Sequence, residues 1–509
     1  MDERKGKSGL IMQEFSNDIV VLNPDYHFKN DYDRIIMYSR QRVQKYSSSD
    51  WMSFIHPVQA MILNCFSTIK EIGAHYAELS EKFNLPYVKI KEIIEPYIEN
   101  PNPVYTIWKE QKVAFPKNVL VRLKNVSGEY NCEHKEIPKI ESDIINLVPD
   151  RPHKGPQYIL FMLTNKCVTN CKYCYADRKT RYTPLSTGKI LSIIDEAKAI
   201  DVAYIDIIGG EVFCRKDWNI ILKKLVDMEM TPNYISTKMP LSEDMVKVLY
   251  ETGYDNVVQI SLDSMDDGVL SKTIGCRYGY VAEMKECIRN LEKYGFKIQI
   301  DTILTKYNSN EKSLIELFDF IKTIGSLVYW EIRVPEVSIY TPVGFHEIKA
   351  ERKDLEKVCS YINNVLLNKA EIKIIYNDKA MTEEYRNSKP TDEGMKERCG
   401  ILKNRIFVLP DGKVWVCEQL YWHPQFIIGD LNKQSLCEVW NSKKAIALFN
   451  LTKDMFKDSP CFDCKALEIC NKKHYKCFVK VIKAYGKDKW NYPDPHCVNA
   501  PKFMSDLTY

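Results

Sequence analysis

With 509 residues the chain is too long for one ordinary domain, and a hydrophobic content of 45% can fill several separate cores. Its 72 Lys+Arg against 68 Asp+Glu leave a net charge of +4, which excludes the strong field that gathers nucleic acid or an anionic membrane. The start, Met1-Asp2-Glu3-Arg4-Lys5-Gly6-Lys7, has no apolar core behind it, and no uninterrupted run of about 18 apolar residues occurs, so the expectation is a cytoplasmic protein with neither nucleic acid nor membrane as partner.

In chain order, Ile19-Val20-Val21-Leu22 and Arg34-Ile35-Ile36-Met37-Tyr38 read as two strands around the turn Asn23-Pro24-Asp25. Helical spacing follows: Val58, Met61, Ile62, Cys65 and Phe66 after Pro57; then Ile72, Tyr76, Leu79 and Phe83; then Val88, Ile93, Ile94 and Ile98 before Pro101. This predicts a winged-helix unit over residues 1–105. Prolines 103, 116, 138, 149 and 152 break up residues 106–155, which read as a connector. From Tyr158 the rhythm is strand, helix, strand. Six β-rich segments begin at Tyr158, Ala203, Asn233, Asn256, Lys297 and Tyr329, with most gaps long enough for a crossover helix. Over 156–345 they predict a partial (β/α)6 barrel of TIM type. A helical bridge spans 346–395, read as helix from about Ala350 to Glu384. The segment 396–509 holds eight cysteines and short turns such as Pro410-Asp411-Gly412, which suits a domain stapled by metal. The fold class is α/β.

Seventeen cysteines are many for a reducing compartment, where clustered thiols point to metal or redox chemistry. Cys167, Cys171 and Cys174 share one tight loop just after the first barrel strand, on the face where such barrels keep their active sites. Three thiolates can hold three irons of a cubane and leave the fourth open to an outside ligand. A structural zinc site would need a fourth ligand that this loop lacks. The C-x3-C-x2-C loop, with Tyr173 before its last cysteine, resembles the radical S-adenosylmethionine (SAM) superfamily over about residues 156–340.

That resemblance implies a [4Fe-4S] cluster, S-adenosylmethionine, and a 5′-deoxyadenosyl radical that abstracts hydrogen from a substrate. Gly209-Gly210-Glu211 looks like the family's GGE motif, whose glycines allow close backbone approach and whose carboxylate takes the methionyl ammonium. Ser236 and Thr237, with Ser261 and Asp263, stand at strand ends where the family binds ribose and methionine carboxylate. Ordinary strand-end capping is the alternative for each.

Downstream, Cys399, Gly412 and Cys417, then Cys461-x2-Cys464-x5-Cys470, Cys477 and Cys497, resemble the SPASM extension with two auxiliary [4Fe-4S] clusters. By analogy Cys461, Cys464, Cys470 and Cys497 bind one complete cluster, and Cys399, Cys417 and Cys477 serve the other. That makes three clusters in all; a pair of zinc sites is the alternative. Six residues separate Cys470 from Cys477 where the family usually has three, and His474 falls where the usual cysteine would be. Either Cys437 supplies the eighth ligand or one iron is left open, and an open iron would suit a substrate thiolate. Glu418 follows Cys417 where some SPASM enzymes carry an acidic general base; a solvated carboxylate is the plainer alternative.

The first unit resembles the peptide-recognition element fused to many peptide-modifying enzymes, whose sheet edge accepts a leader peptide as an added strand. A DNA-reading winged helix is disfavoured, because residues 71–83 contain Glu71, Glu78 and Glu81 with one lysine. Together the parts imply an oxidoreductase that matures a ribosomally made precursor peptide with a leader, fed by a reductant such as flavodoxin or ferredoxin. The favoured product is a thioether from a Cys sulfur to carbon. Carbon–carbon or cyclophane cross-linking, sulfatase-maturase-like oxidation of Ser or Cys, and a non-catalytic zinc-binding regulatory protein are the competitors.

Overall fold

The computed structural model describes residues 18–39, 51–148, 150–335, 338–369, 371–376, 399–473, 476–502 and 504. His474 and the part of the expected helical bridge beyond residue 376 lie outside them. The chain divides into two compact units, Met1–Lys154 and Gly155–Tyr509.

In the first unit the strands are β1 (Val20–Leu22), β2 (Tyr26–Asn30), β3 (Ile35–Ser39), β4 (Met52–Ile55), β5 (Val104–Trp108), β6 (Gln111–Phe115) and β7 (Leu120–Arg122). The turn at Asn23-Pro24-Asp25 forms as expected, with Asp25 N–H donating to the Asn23 side chain at 3.0 Å. It does not pair the strands on either side: β1 pairs with β7, and β3 lies between β2 and β4 in an antiparallel meander. Helices α1 (Pro57–Asn64), α2 (Ile72–Phe83) and α3 (Tyr87–Ile94) follow. His56 starts α1: its Nδ1 accepts from Val58 N–H, Gln59 reaches back to the His56 N–H, and Pro57 takes the first helical position. Residues 106–154 supply β6 and β7 and bury Ile145 and Leu147 in the same core as Phe66 and Leu79. A clasp closes this unit, since the buried Arg34 guanidinium bonds Asp31, Asp150 and the Arg151 carbonyl. Asp31 also accepts from the backbone N–H groups of His153 and Lys154.

The second unit contains β8 (Tyr158–Thr164), β9 (Tyr204–Gly209), β10 (Tyr234–Thr237), β11 (Val257–Ser261), β12 (Ile298–Ile303) and β13 (Leu327–Arg333), interleaved with α4 (Thr187–Ala199), α5 (Trp218–Asp227), α6 (Glu243–Glu251), α7 (Asp267–Ile274), α8 (Tyr280–Lys293) and α9 (Glu311–Ile321). All six expected strands are present. β8 and β9 are parallel, as are β10 through β13, and the arrangement is a partial barrel. Side chains alternate along each strand. One face buries Ile205, Ile207, Val258, Ile260, Ile300 and Ile332 in the helix-covered core. The other is polar, with Ser261, Asp301 and Glu331 in register across β11, β12 and β13.

Two extensions were not expected. β14 (Ile374–Tyr376), inside the bridge read as helical, adds a parallel strand beside β13. β15 (Arg405–Val408) joins β8 in parallel and carries β16 (Lys413–Trp415) and β17 (Ile427–Asp430) antiparallel behind it. Among the described residues no helix is long and apolar enough to cross a membrane.

Candidate active site and metal centres

Beyond Thr164, β8 runs directly into the loop of Cys167, Cys171 and Cys174. The last carbonyls of a helix lack partners within it. Here those of α7 are used: Asn170 N–H donates to Ile274 O at 2.7 Å and Lys172 N–H to Thr273 O at 2.9 Å. Buried Thr169 sets its hydroxyl 3.4 Å from Cys167 Sγ and 3.3 Å from Cys171 Sγ. Cys174 lies close enough to sense the charge of Cys167, and Cys171 that of Cys174, so the three thiols share one site. Burial pushes the Cys171 thiol up to about 11 and raises Cys174. Such thiols give up their protons when a metal takes the protons' place.

Gly209 and Gly210 lie against the backbone that leads into this loop. Gly210 N–H donates to Thr164 O and Glu211 N–H to Lys166 O, both at 2.7 Å. A side-chain carbon on Gly210 would stand 2.3 Å from Lys166 O, and one on Gly209 2.8 Å from Thr164 O, so only glycine fits. Glu211 is thereby carried inside. Its carboxylate accepts from the Thr237 hydroxyl and Lys238 N–H at 3.0 Å, and burial pushes its pKa up to about 7. A buried carboxylate of this kind is poised for a cation such as a ligand ammonium.

Thr237 therefore supports Glu211, while Ser236 and Ser261 stand on the polar barrel face, Ser261 accepting from Gln259 at 3.3 Å. Asp263 is turned into the protein. Its carboxylate accepts from the Tyr173 hydroxyl, from Ile303 N–H at 2.9 Å and from the Lys238 ammonium at 3.4 Å. Tyr173 and Asp263 thus brace the cysteine loop from beneath. Burial works against the charge of Lys238, and Asp263, then Cys171, outweigh it and raise its pKa. Lys238 has no signal in the sequence beyond its place one residue past the third strand.

The downstream cysteines fall into two sets. Cys461, Cys464, Cys470 and Cys497 act on one another, burial lifts Cys470 to about 11, and the buried Lys476 ammonium stands 4.0 Å from Cys461 Sγ. Cys399, Cys417 and Cys477 form the other set. Asp494 adjoins it, accepting from Cys477 N–H at 3.0 Å. Cys437 sits in the short helix Leu436–Trp440. The charge of Glu418 raises the Tyr175 phenol far above its usual value, and it also raises Tyr234 of β10, after burial and Asp206. Tyr175 went unread in the sequence, although it directly follows Cys174.

Sulfurs on one zinc stand about 3.8 Å apart, given Zn–S bonds of about 2.3 Å. Among the described residues the only three donors within 4.8 Å of one another are Asp31, Asp33 and His153, which belong to the Arg34 clasp. The chemistry of three sets of clustered thiols fits iron–sulfur clusters. Residues 161–321 match the family model of the radical SAM superfamily, and residues 399–465 match SPASM, an iron–sulfur cluster-binding domain. The chain carries a radical SAM domain and a SPASM domain.

The radical SAM domain holds the first thiol set and the Gly209-Gly210-Glu211 cradle, which fit a [4Fe-4S] cluster with S-adenosylmethionine. The SPASM match takes in Cys399, Cys417, Cys461 and Cys464, and Cys470, Cys477 and Cys497 lie beyond its end. A PqqA peptide cyclase of Granulibacter bethesdensis is 22% identical over 318 residues, covering 62% of this chain and 81% of that protein. SuiB of Streptococcus suis, in a crystal structure bound to its precursor peptide SuiA, aligns over 93% of this chain and 98% of its own with a TM-score of 0.59 at 16% identity. SuiB bound to S-adenosylmethionine aligns over 96% and 99%, with a TM-score of 0.58 at 15% identity. At these identities the two structures speak to the fold of this chain.

Proposed function

We propose that the chain matures a ribosomally made precursor peptide, forming an intramolecular thioether from a Cys sulfur to a carbon. A precursor-peptide substrate is supported by the likeness to PqqA peptide cyclase and to SuiB, a protein crystallised with its own precursor peptide. The thioether rests on one observation, the unequal thiol count. Among the described residues four cysteines gather in one auxiliary set and three in the other, and we read the uneven count as a position for a substrate thiolate in place of Cys437 or His474.

Bound cluster and S-adenosylmethionine together supply a 5′-deoxyadenosyl radical, the reagent that removes a substrate hydrogen. The protein's own part is placement. Glu211 takes the ligand ammonium, Gly209 and Gly210 let the ligand and backbone approach, and the polar barrel face receives the side chain to be changed. Ser236 and Ser261 offer hydroxyls there. Glu418, next to Cys417, serves as the base that removes the proton left when the product forms, with Tyr175 within reach of its charge, and the one electron left over would pass to the iron–sulfur centre that the three-thiol set would hold. The first unit, with the edges β2 and β4 of its sheet, holds the leader as a winged-helix recognition element.

The test is anaerobic reconstitution with iron and sulfide, addition of S-adenosylmethionine and a low-potential reductant, and mass spectrometry with candidate peptides. About twelve irons per chain, 5′-deoxyadenosine, and a peptide lighter by two hydrogens whose Cys no longer alkylates are the expected result. A two-hydrogen loss with a freely alkylating Cys would replace the thioether with a carbon–carbon cross-link. Two or three zincs and no 5′-deoxyadenosine would overturn the reading altogether.

A further inference from the structure

The two downstream thiol sets meet at one buried charge. Lys476 is 5% exposed, and its ammonium stands 4.0 Å from Cys461 Sγ. It donates to Asn491 O at 3.1 Å and lies 4.1 Å from the centre of the Phe456 ring. Asn491 is itself held, its carbonyl accepting from the Ser459 hydroxyl at 2.8 Å and its amide donating to Met455 O at 3.0 Å. The ammonium is therefore fixed against the four-thiol set. Cys477, next in the chain, belongs to the three-thiol set, and Lys476 lines one small gap with Cys399 of that set and Cys470 of the other. Lys476 also falls in the stretch between Cys470 and Cys477, where the chain departs from the usual SPASM spacing.

The charges around the two sets differ in sign. On the four-thiol side Asn499 adds a neutral donor, 3.8 Å from Cys464 Sγ. On the three-thiol side stand carboxylates. Asp494 accepts from Cys477 N–H at 3.0 Å and, after burial, raises Cys399 and Cys477, while Glu418 raises Cys417. Burial pushes Lys476 down to about 8, and Cys461, Cys470, Asp494 and Cys497 hold it up, so its charge is present at neutral pH. A buried ammonium needs negative charge beside it. Neutral thiols do not supply that, whereas thiolates on an iron–sulfur core do. Reduction adds one further negative charge to such a core, and a fixed cation on a ligand sulfur stabilises it.

We propose that Lys476 is a positioning residue that raises the reduction potential of the iron–sulfur centre in the four-thiol set. The inference rests on the reading of these cysteines as cluster ligands. The step it controls is a one-electron reduction, with no bond made or broken, and the electron comes from the low-potential reductant.

The test is an anaerobic redox titration of the reconstituted full-length protein, followed by electron paramagnetic resonance. The four-thiol signal is identified as the one that Cys464→Ala removes. Lys476→Met should lower the ratio of reduced to oxidised four-thiol centre at a fixed potential at least about tenfold, a shift of about 59 mV for one electron. The barrel centre should titrate as in the parent. Lys476→Arg keeps the charge and should restore most of the parental ratio. Lys472→Met removes an exposed lysine of the same stretch and should change nothing. A parental potential in Lys476→Met with its iron intact overturns the proposal, as does an equal shift in Lys472→Met or a shift that Lys476→Arg fails to restore. Should Lys476→Met lose iron, Lys476→Gln decides by the same titration. Zinc in place of iron in the parent's four-thiol set would overturn the ligand reading and the proposal with it.

Discussion

The barrel loop and the SPASM cysteines solve one problem in opposite ways. The loop keeps three thiols within eight residues and is fixed by main-chain hydrogen bonds to the end of α7, by Thr169, and by Tyr173 on Asp263. The two SPASM sets collect thiols from as far apart as Cys399 and Cys477, through short helices and turns. In the first region the fold positions the ligands; in the second the ligands must help to hold the fold. That contrast orders the expected effects of perturbing each.

The largest effect is the loss of 5′-deoxyadenosine formation in Cys167→Ala, Cys171→Ala or Cys174→Ala, measured by mass spectrometry. The contrast requires the thermal midpoint of these variants to stay within about 3 °C of the parent, since the braces of the loop are untouched. Cys464→Ala should reverse the pattern. Some S-adenosylmethionine cleavage survives and product is lost, while hydrogen exchange speeds up over residues 461–502 and stays unchanged in β8 to β13. Uniform exchange across the molecule would break the comparison. Gly210→Ala forces a carbon against Lys166 O and should cost about 1–3 kcal/mol of stability, read by denaturant unfolding, with weaker binding of S-adenosylhomocysteine.

The smallest effect is one of pH. Burial raises Glu211 to about 7, so the neutral form is favoured in the fold. Its stability contribution is complete below the ordinary glutamate value and is lost as pH rises through about 7. A ligand ammonium needs the carboxylate. S-adenosylhomocysteine should therefore bind roughly tenfold more weakly at pH 6 than at pH 8, and Glu211→Gln should flatten that profile in calorimetry.

What could be read from the sequence follows the range of the interactions. The six barrel strands announce themselves through runs such as Tyr158–Thr164 and Ile298–Ile303, and each thiol group through local spacing, so both were legible. β2 was missed because Tyr26-His27-Phe28-Lys29-Asn30 carries a buried Lys29 and polar residues that dilute its apolar signal. β14 and β15 are only three and four residues long and draw their stability from partners far away in the chain, β15 from β8. Asp263 was legible as a strand-end carboxylate, but its engagement by Tyr173, Ile303 and Lys238 depends on three separate parts of the chain meeting. No spacing encodes such a meeting.

The pairing of β15 with β8 has a consequence for how the protein can be divided. β8 delivers the cysteine loop, and β15 covers the side of it that β9 does not. A chain cut before residue 396 would leave the amides and carbonyls of β8 bare, and a strand with an open flank is a template for joining another chain. The SPASM domain therefore acts as an edge guard for the barrel as well as a carrier of metal, and its removal should leave a protein that self-associates through its first barrel strand.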